Sequence, residues 1–195
     1  NPNLKPERAK TFEFGTGFRF DDVIRDGDGL HFKSAYHISQ VDDLINLVVV
    51  MPPGPPATCF FPPHVPCSAG TATSTNVDAN IRGAEFEAEY ENERISLNIN
   101  YSSIQGTERG AVFDLSSVTP DRLNATLIVK IPEVDASVGG RIEFAGGLDK
   151  NYNPATHSPD TETRSGYSVL DVFATWQPVG SVLEGVRVDL GIENV

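Results

Sequence analysis

Two cysteines and a histidine lie close together in one proline-rich segment of the chain. Cys59 and Cys67 flank His64, and Phe60 and Phe61 follow the first cysteine. This spacing suits a local disulfide in a surface loop, which would contribute roughly 2–3 kcal/mol to loop order. Two free thiols are one alternative. A metal site is another, although it would need more ligands than His64 adds to two thiolates.

The chain has four histidines, and imidazole is the commonest metal ligand among protein side chains. His31 and His37 fall on the same polar side of one alternating segment, which favours a solvated wall over a ligand pair. His157 lies in the polar segment 153–159, where we expect a solvated loop. His64 remains the histidine whose aromatic and proline-rich surroundings favour a binding contact.

Closely spaced carboxylates are the remaining candidates for chemistry. Glu85, Glu87 and Glu89 project to one side of the same segment, which is typical of the solvated face of a strand and not of a glycosidase pair. The sequence contains no nucleophile elbow, phosphate-binding loop or metal motif. We therefore predict that the chain is not an enzyme and has no catalytic or metal-binding set.

These glutamates belong to a hairpin pattern. From Ile81 to Tyr90, and again from Ile95 to Tyr101, apolar and polar residues alternate. A period of two predicts β-strands with one apolar and one polar face. The predicted apolar face includes Phe86, Tyr90, Leu97, Ile99, Val188 and Leu190, and the predicted polar face includes Glu85, Glu87, Asn98 and Asp189.

The same alternation recurs at fairly even spacing along the chain. The predicted strands are 10–20, 31–39, 81–90, 95–101, 122–131, 137–144, 168–177 and 185–194. A soluble sandwich would show this pattern too, but each run is near the length that a tilted strand needs to cross a bilayer, roughly 9–11 residues. We predict an all-β fold: about eight antiparallel strands forming a membrane-spanning segment of a β-barrel.

The connections alternate between short and long. The turns at 91–93 and 132–135 are tight, whereas the connections Leu44–Thr75, 107–120 and 147–166 are long. Loops beyond about 12–15 residues are uncommon in a compact soluble domain. Short periplasmic turns and long extracellular loops are the plan of an outer-membrane barrel, so the alternation favours a barrel over a sandwich.

Composition limits the partners. The formal net charge is −12 and the isoelectric point is about 4.6, which disfavours nucleic acid and anionic lipid surfaces as partners. No apolar run approaches the ~20 residues of a spanning helix. The run from Leu44 to Met51 is interrupted by Asn46 and is expected to be a loop or a strand extension.

The opening residues Asn1-Pro-Asn-Leu4, followed by 11–15, resemble the NPNL box of TonB-dependent outer-membrane receptors. Later stretches resemble that family's strand and C-terminal motifs in the same order: 80–87, 120–124, 166–171 and 191–195. The resemblance covers nearly the whole chain. It is closest to the branch that takes up haem from haemoglobin or haemophores, although siderophore receptors carry related sequences.

The resemblance implies a barrel of 22 strands with a separate plug domain. If the strand after the NPNL box is the fourteenth, the eight predicted strands run to the twenty-first. The sequence has no initiator Met and no signal peptide. We therefore expect residues 1–195 to be the C-terminal part of a longer receptor barrel, with the plug domain and the last strand outside this sequence.

The implied function is TonB-energised uptake of haem, or of haem from a haem-carrying protein, across the outer membrane of a Gram-negative bacterium. A ferric-siderophore receptor is the alternative, and a passive porin-like barrel is a weaker one. Haem would be transported and not bound covalently. The expected partners are the haem source, outer-membrane lipid and the TonB complex, which would act through an N-terminal region absent from this sequence.

The resemblance carries over few site residues. The family's axial histidines would precede residue 1. The NPNL box, composed of Asn1, Pro2, Asn3 and Leu4, is expected to shape the ligand pocket, or else to be a turn that leads into the first strand. His64 is expected to contact the haemoprotein from the loop that contains Cys59 and Cys67.

Overall fold

The computed structural model of the chain describes residues 3–50, 71–157, 159–180 and 182–195. Within these residues the chain is all-β, with ten strands and one short 3-10 turn at Pro132–Val134. The strands are β1 (Arg8–Asp21), β2 (Gly29–Val50), β3 (Thr71–Glu91), β4 (Ile95–Glu108), β5 (Arg122–Ile131), β6 (Ala136–Ala145), β7 (Leu148–Asn151), β8 (Thr161–Arg164), β9 (Tyr167–Trp176) and β10 (Val188–Ile192). In the same ranges no helix is long and apolar enough to cross a membrane.

Eight of these strands form one antiparallel sheet in the order β1-β2-β3-β4-β5-β6-β9-β10. Each strand therefore pairs with its neighbours along the chain, apart from the insertion of β7 and β8, which form a separate two-stranded sheet. The prediction of about eight alternating, antiparallel strands is confirmed. The sheet does not close on itself within the described residues.

One face of the large sheet is apolar across its whole width. Every second residue of each strand lies on this face, and these residues pair across the strands in rows. One row contains Phe18, Phe32, Ala88, Ile99, Ala125, Ile142 and Leu170. Large side chains of this face are exposed, for example Phe12 at 70% and Leu190 at 69%. An apolar surface of this extent is typical of a barrel wall that faces bilayer hydrocarbon, and not of a wall that faces water.

The opposite face is polar. One of its rows contains Arg19, His31, Glu89, Asn98, Thr126, Arg141 and Asp171. Ion pairs connect adjacent strands on this face, with 3.0 Å between Lys33 and Glu87 and 2.7 Å between Arg141 and Asp171. The register confirms the predicted division of residues between the two faces.

Strands β2 and β3 extend well beyond their neighbours. Their outer halves, Leu44–Val50 and Thr71–Val77, pair as a two-stranded ribbon, here called the outer ribbon. The predicted connection from Leu44 to Thr75 is thus too long at both ends, because residues 44–50 extend β2, which was one of the two expectations for this run, and residues 71–75 belong to β3. Residues 51–70, and with them Cys59, His64 and Cys67, lie outside the described residues.

A bulge explains why the alternation of apolar and polar residues did not predict this extension. Val41 pairs with Ala79 and Leu44 pairs with Val77, so Asp42 and Asp43 stand opposite a single residue. Asp43 has a positive φ of 58°, a conformation that Asp tolerates better than most residues. The extra residue reverses the order in which successive residues of β2 lie on the two faces. The alternation in the sequence is therefore interrupted there, although the strand continues.

The small sheet corrects a second prediction. Residues 147–166 were expected to form a long loop, but β7 and β8 pair within it from Leu148 with Arg164 to Asn151 with Thr161. Four-residue strands are too short to give a clear alternation. The predicted loop at 107–120 is confirmed from residue 109 onward, whereas Thr107 and Glu108 still belong to β4, and Thr107 also forms an isolated bridge with Asp114.

Candidate ligand-facing site

Asn3 and Leu4, the described half of the NPNL box, lie at the end of β1 that adjoins the outer ribbon. Arg8, the first residue of β1, pairs with Asp42 in the bulge. Asn3 is exposed in a turn and Leu4 is half-buried. Asn1 and Pro2 lie outside the described residues. The structure therefore places half of the predicted box, and it places it beside the bulge of β2.

The side chain of Asn76 in the outer ribbon contacts the backbone just after the box. Its Oδ1 accepts a hydrogen bond from the Lys5 amide at 2.8 Å, and its Nδ2 donates to the Lys5 carbonyl at 3.0 Å. The same Nδ2 donates to the Asp43 carbonyl at 2.6 Å. One amide side chain thus joins β3, the bulge of β2 and the residue that follows the box.

Two further contacts fix this segment. The Glu7 carboxylate accepts a hydrogen bond from the backbone amide of Ile45 at 2.6 Å. The Lys5 ammonium lies 3.6 Å from the Asp43 carboxylate. Because the ammonium is well exposed, this ion pair contributes little to stability. The hydrogen bonds to backbone groups therefore dominate the attachment.

Arg109 connects the next outer loop to the same bulge. Its guanidinium lies 2.7 Å from Asp42 and donates to the Val41 carbonyl at 3.3 Å. Its backbone amide donates to the Asp78 carbonyl at 2.7 Å. The hydrogen bond from Arg109 is the main reason that the pKa of Asp42 lies below its ordinary value. The bulge is therefore a junction between the box and the loop that begins near residue 109.

That loop, residues 109–121, folds back onto the sheet. Leu115 is fully buried and forms a small core with Val41 and Ala79. Gly106 leaves the space for it, since a Cβ there would lie 2.8 Å from Leu115 Cδ1. The burial of one large side chain anchors the whole loop.

A buried lysine holds the other side of the loop. Lys150 on β7 is only 6% exposed, and its ammonium donates to the carbonyls of Leu115, Ser116 and Val118. Burial lowers the pKa of Lys150, while the carboxylates of Glu162 and Asp114 oppose that shift. Three carbonyl acceptors compensate the buried charge for its lost hydration.

Tyr152 links the small sheet to the segment that follows it. Its hydroxyl donates to Glu162 at 2.5 Å, and the His157 ring packs on it with 4.1 Å between ring centroids. Burial, together with the bond to Glu162, raises the pKa of Tyr152. His157 lies in a loop as predicted, but its ring is half-buried against an aromatic partner and not fully solvated.

A cleft of about 860 Å³ opens between the outer part of β3–β4 and these loops. Its charged lining residues are Arg82, Asp114, Asp121, Asp149 and Lys150. Among the described residues that line it, none is a histidine. The cleft can therefore offer polar and ionic contacts, but those residues offer no imidazole to a haem iron.

The polar face carries the predicted histidines His31 and His37 on β2. The register places His31 between Arg19 and Glu89, and His37 between Glu13 and Gly83. Nearby, a hollow of about 570 Å³ lies over Gly15, Gly17 and Ala35, which carry no side chain or only a methyl group. The structure thus places both histidines on the wall predicted for them.

Several contacts at this site escaped the sequence prediction. Asn76, Leu115 and Lys150 carry the attachment of the box and the loop, and no motif marked them. Leu115 is one of several apolar residues in its loop, with Val112, Phe113 and Val118, so the sequence did not single it out. In the ranges that the structure describes, no group of three or more His, Cys, Asp or Glu side chains is placed to hold a metal ion. The roles predicted for the box residues Asn1, Pro2, Asn3 and Leu4, and for His64, Cys59 and Cys67, stay predictions.

A family model described as "TonB dependent receptor-like, beta-barrel" matches residues 1–195. The chain belongs to the TonB-dependent receptor family. The match covers the NPNL box, the eight-stranded sheet and the outer loops together, and it confirms the family resemblance seen in the sequence. In a TonB-dependent receptor barrel the apolar face meets lipid and the polar face lines the lumen.

Curated relatives of this TonB-dependent receptor chain have names that refer to haem. The chain is 26% identical over 208 residues to heme/hemopexin utilization protein C of Haemophilus influenzae (strain ATCC 51907 / DSM 11121 / KW20 / Rd), covering 100% of this chain and 27% of that protein. It is 30% identical over 178 residues to the hemin receptor of Yersinia enterocolitica, covering 91% and 24% respectively. The chain thus spans about a quarter of the length of these relatives.

Solved structures show the same fold. The copper transporter OprC superposes with a TM-score of 0.72 at 16% identity, covering 99% of this chain and 26% of that chain. The FrpB iron transporter of Neisseria meningitidis, in its F5-1 variant apoprotein form, gives a TM-score of 0.62 at 17% identity, covering 98% and 27%. At this identity the likeness concerns the architecture of the barrel alone.

Proposed function

We propose that this chain is the C-terminal part of the barrel of an outer-membrane receptor for TonB-energised uptake of haem, or of haem from a haem-carrying protein. The observation that carries the proposal is that relatives named for heme/hemopexin utilization and for hemin align with 100% and 91% of the chain. Membership of the TonB-dependent receptor family supports TonB-energised transport, and the names of these relatives support haem as the ligand.

The geometry supports a ligand-facing role for the NPNL box. Asn3 and Leu4 lie at the β1 end beside the outer ribbon and loop 109–121, where the long connections of the sheet gather. In an outer-membrane barrel the long connections face the cell exterior, where the ligand arrives. Asn1, Pro2, Asn3 and Leu4 are therefore the proposed ligand contacts in this chain, with His64 as a contact for a haem-carrying protein.

The proposed partners follow from the two faces and from the family. Outer-membrane lipid covers the apolar face, whose large side chains are exposed in the sheet. The TonB complex would act on a part of the receptor outside this sequence. Haem is the cargo in this proposal, and the axial ligands of its iron would belong to other parts of the receptor.

The test uses the full-length receptor with Asn1, Asn3 and Leu4 changed together to Ala. Because these residues precede β1, the variant should insert at normal surface abundance. Growth on haem as sole iron source should fall, since the loss of a few contacts of ~1 kcal/mol each lowers affinity by one to two orders of magnitude.

The matched control changes the exposed residues Val182 and Glu184 to Ala in the turn between β9 and β10. This variant should grow on haem like the unaltered receptor. Unchanged growth of the box variant would show that the box is only a structural turn. A receptor that supports growth on a ferric siderophore but not on haem would overturn the haem assignment.

A further inference from the structure

The side chain of Asn76 bonds backbone groups on two other segments of the chain. Its amide group reaches out of β3 to the backbone of Lys5, 71 positions earlier in the chain, and bonds both the amide and the carbonyl of that residue. A neighbouring strand would satisfy the same two backbone groups in a sheet. The side chain of Asn76 therefore takes the place of a strand partner.

The segment needs such a partner because the ladder does not reach it. The pairing of β1 with β2 begins at Arg8 with Asp42, so residues 3–7 lie beyond the register of the sheet. The bulge of β2 lies at this point. The carbonyl of Asp43, in the bulge, accepts the second of the two hydrogen bonds that Asn76 Nδ2 donates. Asn76 thus joins the bulge of β2 to Lys5, the residue that follows the box.

We infer that Asn76 is a positioning residue that fixes Lys5, and with it Asn3 and Leu4 of the NPNL box, against the outer ribbon and thereby sets the affinity for the ligand. The inference rests on the proposed function, in which the box contacts haem or its carrier. Asn76 itself need not touch the ligand. The hydrogen bond from Ile45 to Glu7 supports the same arrangement from the other side of the segment.

The experiment compares Asn76→Ala, Asn76→Asp and Thr73→Ala in the full-length receptor. Thr73 is an exposed polar residue on the same arm of the outer ribbon and serves as the matched control. Asp at 76 keeps the acceptor for the Lys5 amide but loses both donations from Nδ2. Hydrogen exchange of the peptide that contains Lys5 measures, without any ligand, how well the Lys5 amide stays hydrogen-bonded. Titration with haemin measures binding.

Asn76→Ala should speed exchange at Lys5 by roughly ten-fold or more, because the amide loses its acceptor. Haemin affinity should fall by roughly three- to ten-fold. Asn76→Asp should give an intermediate result, and Thr73→Ala should change neither quantity. Exchange in the paired parts of β3 and β4 should stay the same in all variants, which shows that the barrel is intact.

Unchanged exchange at Lys5 in Asn76→Ala would overturn the positioning role. Faster exchange with unchanged haemin affinity would overturn the link between that position and binding. A receptor with no affinity for haemin even without substitutions would overturn the proposed function instead. The exchange measurement would then still decide whether Asn76 holds the segment.

Discussion

The imidazole ring of His37 lies over Gly83 on the polar face of the sheet. The two residues are register partners on β2 and β3. A Cβ atom at residue 83 would come within 2.3 Å of His37 Cε1 and 2.8 Å of Nε2, distances that real Cβ atoms essentially never show. Glycine at this position therefore makes room for the ring.

Gly83→Ala should force the His37 side chain into a less favourable rotamer at a cost of roughly 0.5–1.5 kcal/mol. In a His37→Ala background the same substitution should lose most of that cost, because the added methyl group then has space. Denaturant titration of the full-length receptor in lipid vesicles gives the four unfolding free energies of the cycle. Additive effects of the two substitutions would contradict the contact.

Arginine should be tolerated on one face of β4 and not on the other. Ile99 lies on the apolar face between Ala88 and Ala125, whereas Asn98 lies on the polar face between Glu89 and Thr126. Ile99→Arg should destabilise the barrel by roughly 2–4 kcal/mol because a charge enters hydrocarbon, and Asn98→Arg should have little effect. Equal unfolding free energies for the two variants would show that the faces are assigned wrongly.

Cys59 and Cys67 are predicted to form a disulfide in the full receptor. Mass spectrometry of the non-reduced peptide that spans residues 57–69 should show a mass lower by two hydrogens than that of the reduced peptide. Alkylation of the native protein without reductant should modify neither thiol. Modification of both thiols under these conditions would exclude the bond.

Lys150→Met should release loop 109–121 from the small sheet. The substitution keeps a long side chain but removes the ammonium that bonds the carbonyls of Leu115, Ser116 and Val118. The loss of bonds to a charged donor should raise the free energy of the docked loop by about 2–3 kcal/mol. Hydrogen exchange should become faster in the loop and remain unchanged in β5 and β6.

The contact between Tyr152 and Glu162 should make the small sheet sensitive to acid. The Tyr152 hydroxyl, and after it the Arg164 guanidinium, hold the pKa of Glu162 below its ordinary value of 4.5. Because the folded-state pKa is the lower one, the carboxylate stabilises the sheet fully above the ordinary pKa. That stabilisation declines as the pH falls below 4.5 and is lost below the folded-state pKa.

Exchange protection of β7 and β8, corrected for the intrinsic rate, should therefore decrease with acidification through this range. Tyr152→Phe should raise the pKa of Glu162 and make the decrease smaller. A pH profile that is identical in the two proteins would show that the hydroxyl does not stabilise the ionised carboxylate.

The sequence predicted the parts of the fold that depend on local alternation. The strand that contains Glu85 and Phe86 could be assigned to its two faces because neighbouring residues alone define the pattern. The bulge at Asp43 could not be predicted, since it breaks the period within a continuous strand. The contact of Asn76 with Lys5 joins residues far apart in the chain, and no local pattern reports such a pair.

The order of the strands in the large sheet follows the order of the sequence. Each new strand needs only the closure of one connection to reach its partner, and the entropy of that closure grows slowly with loop length. Even the pairing of β6 with β9 spans an insertion that can close first on its own as the β7–β8 hairpin. Each strand of the barrel wall can therefore pair with the wall strand before it in the chain, one hairpin after another.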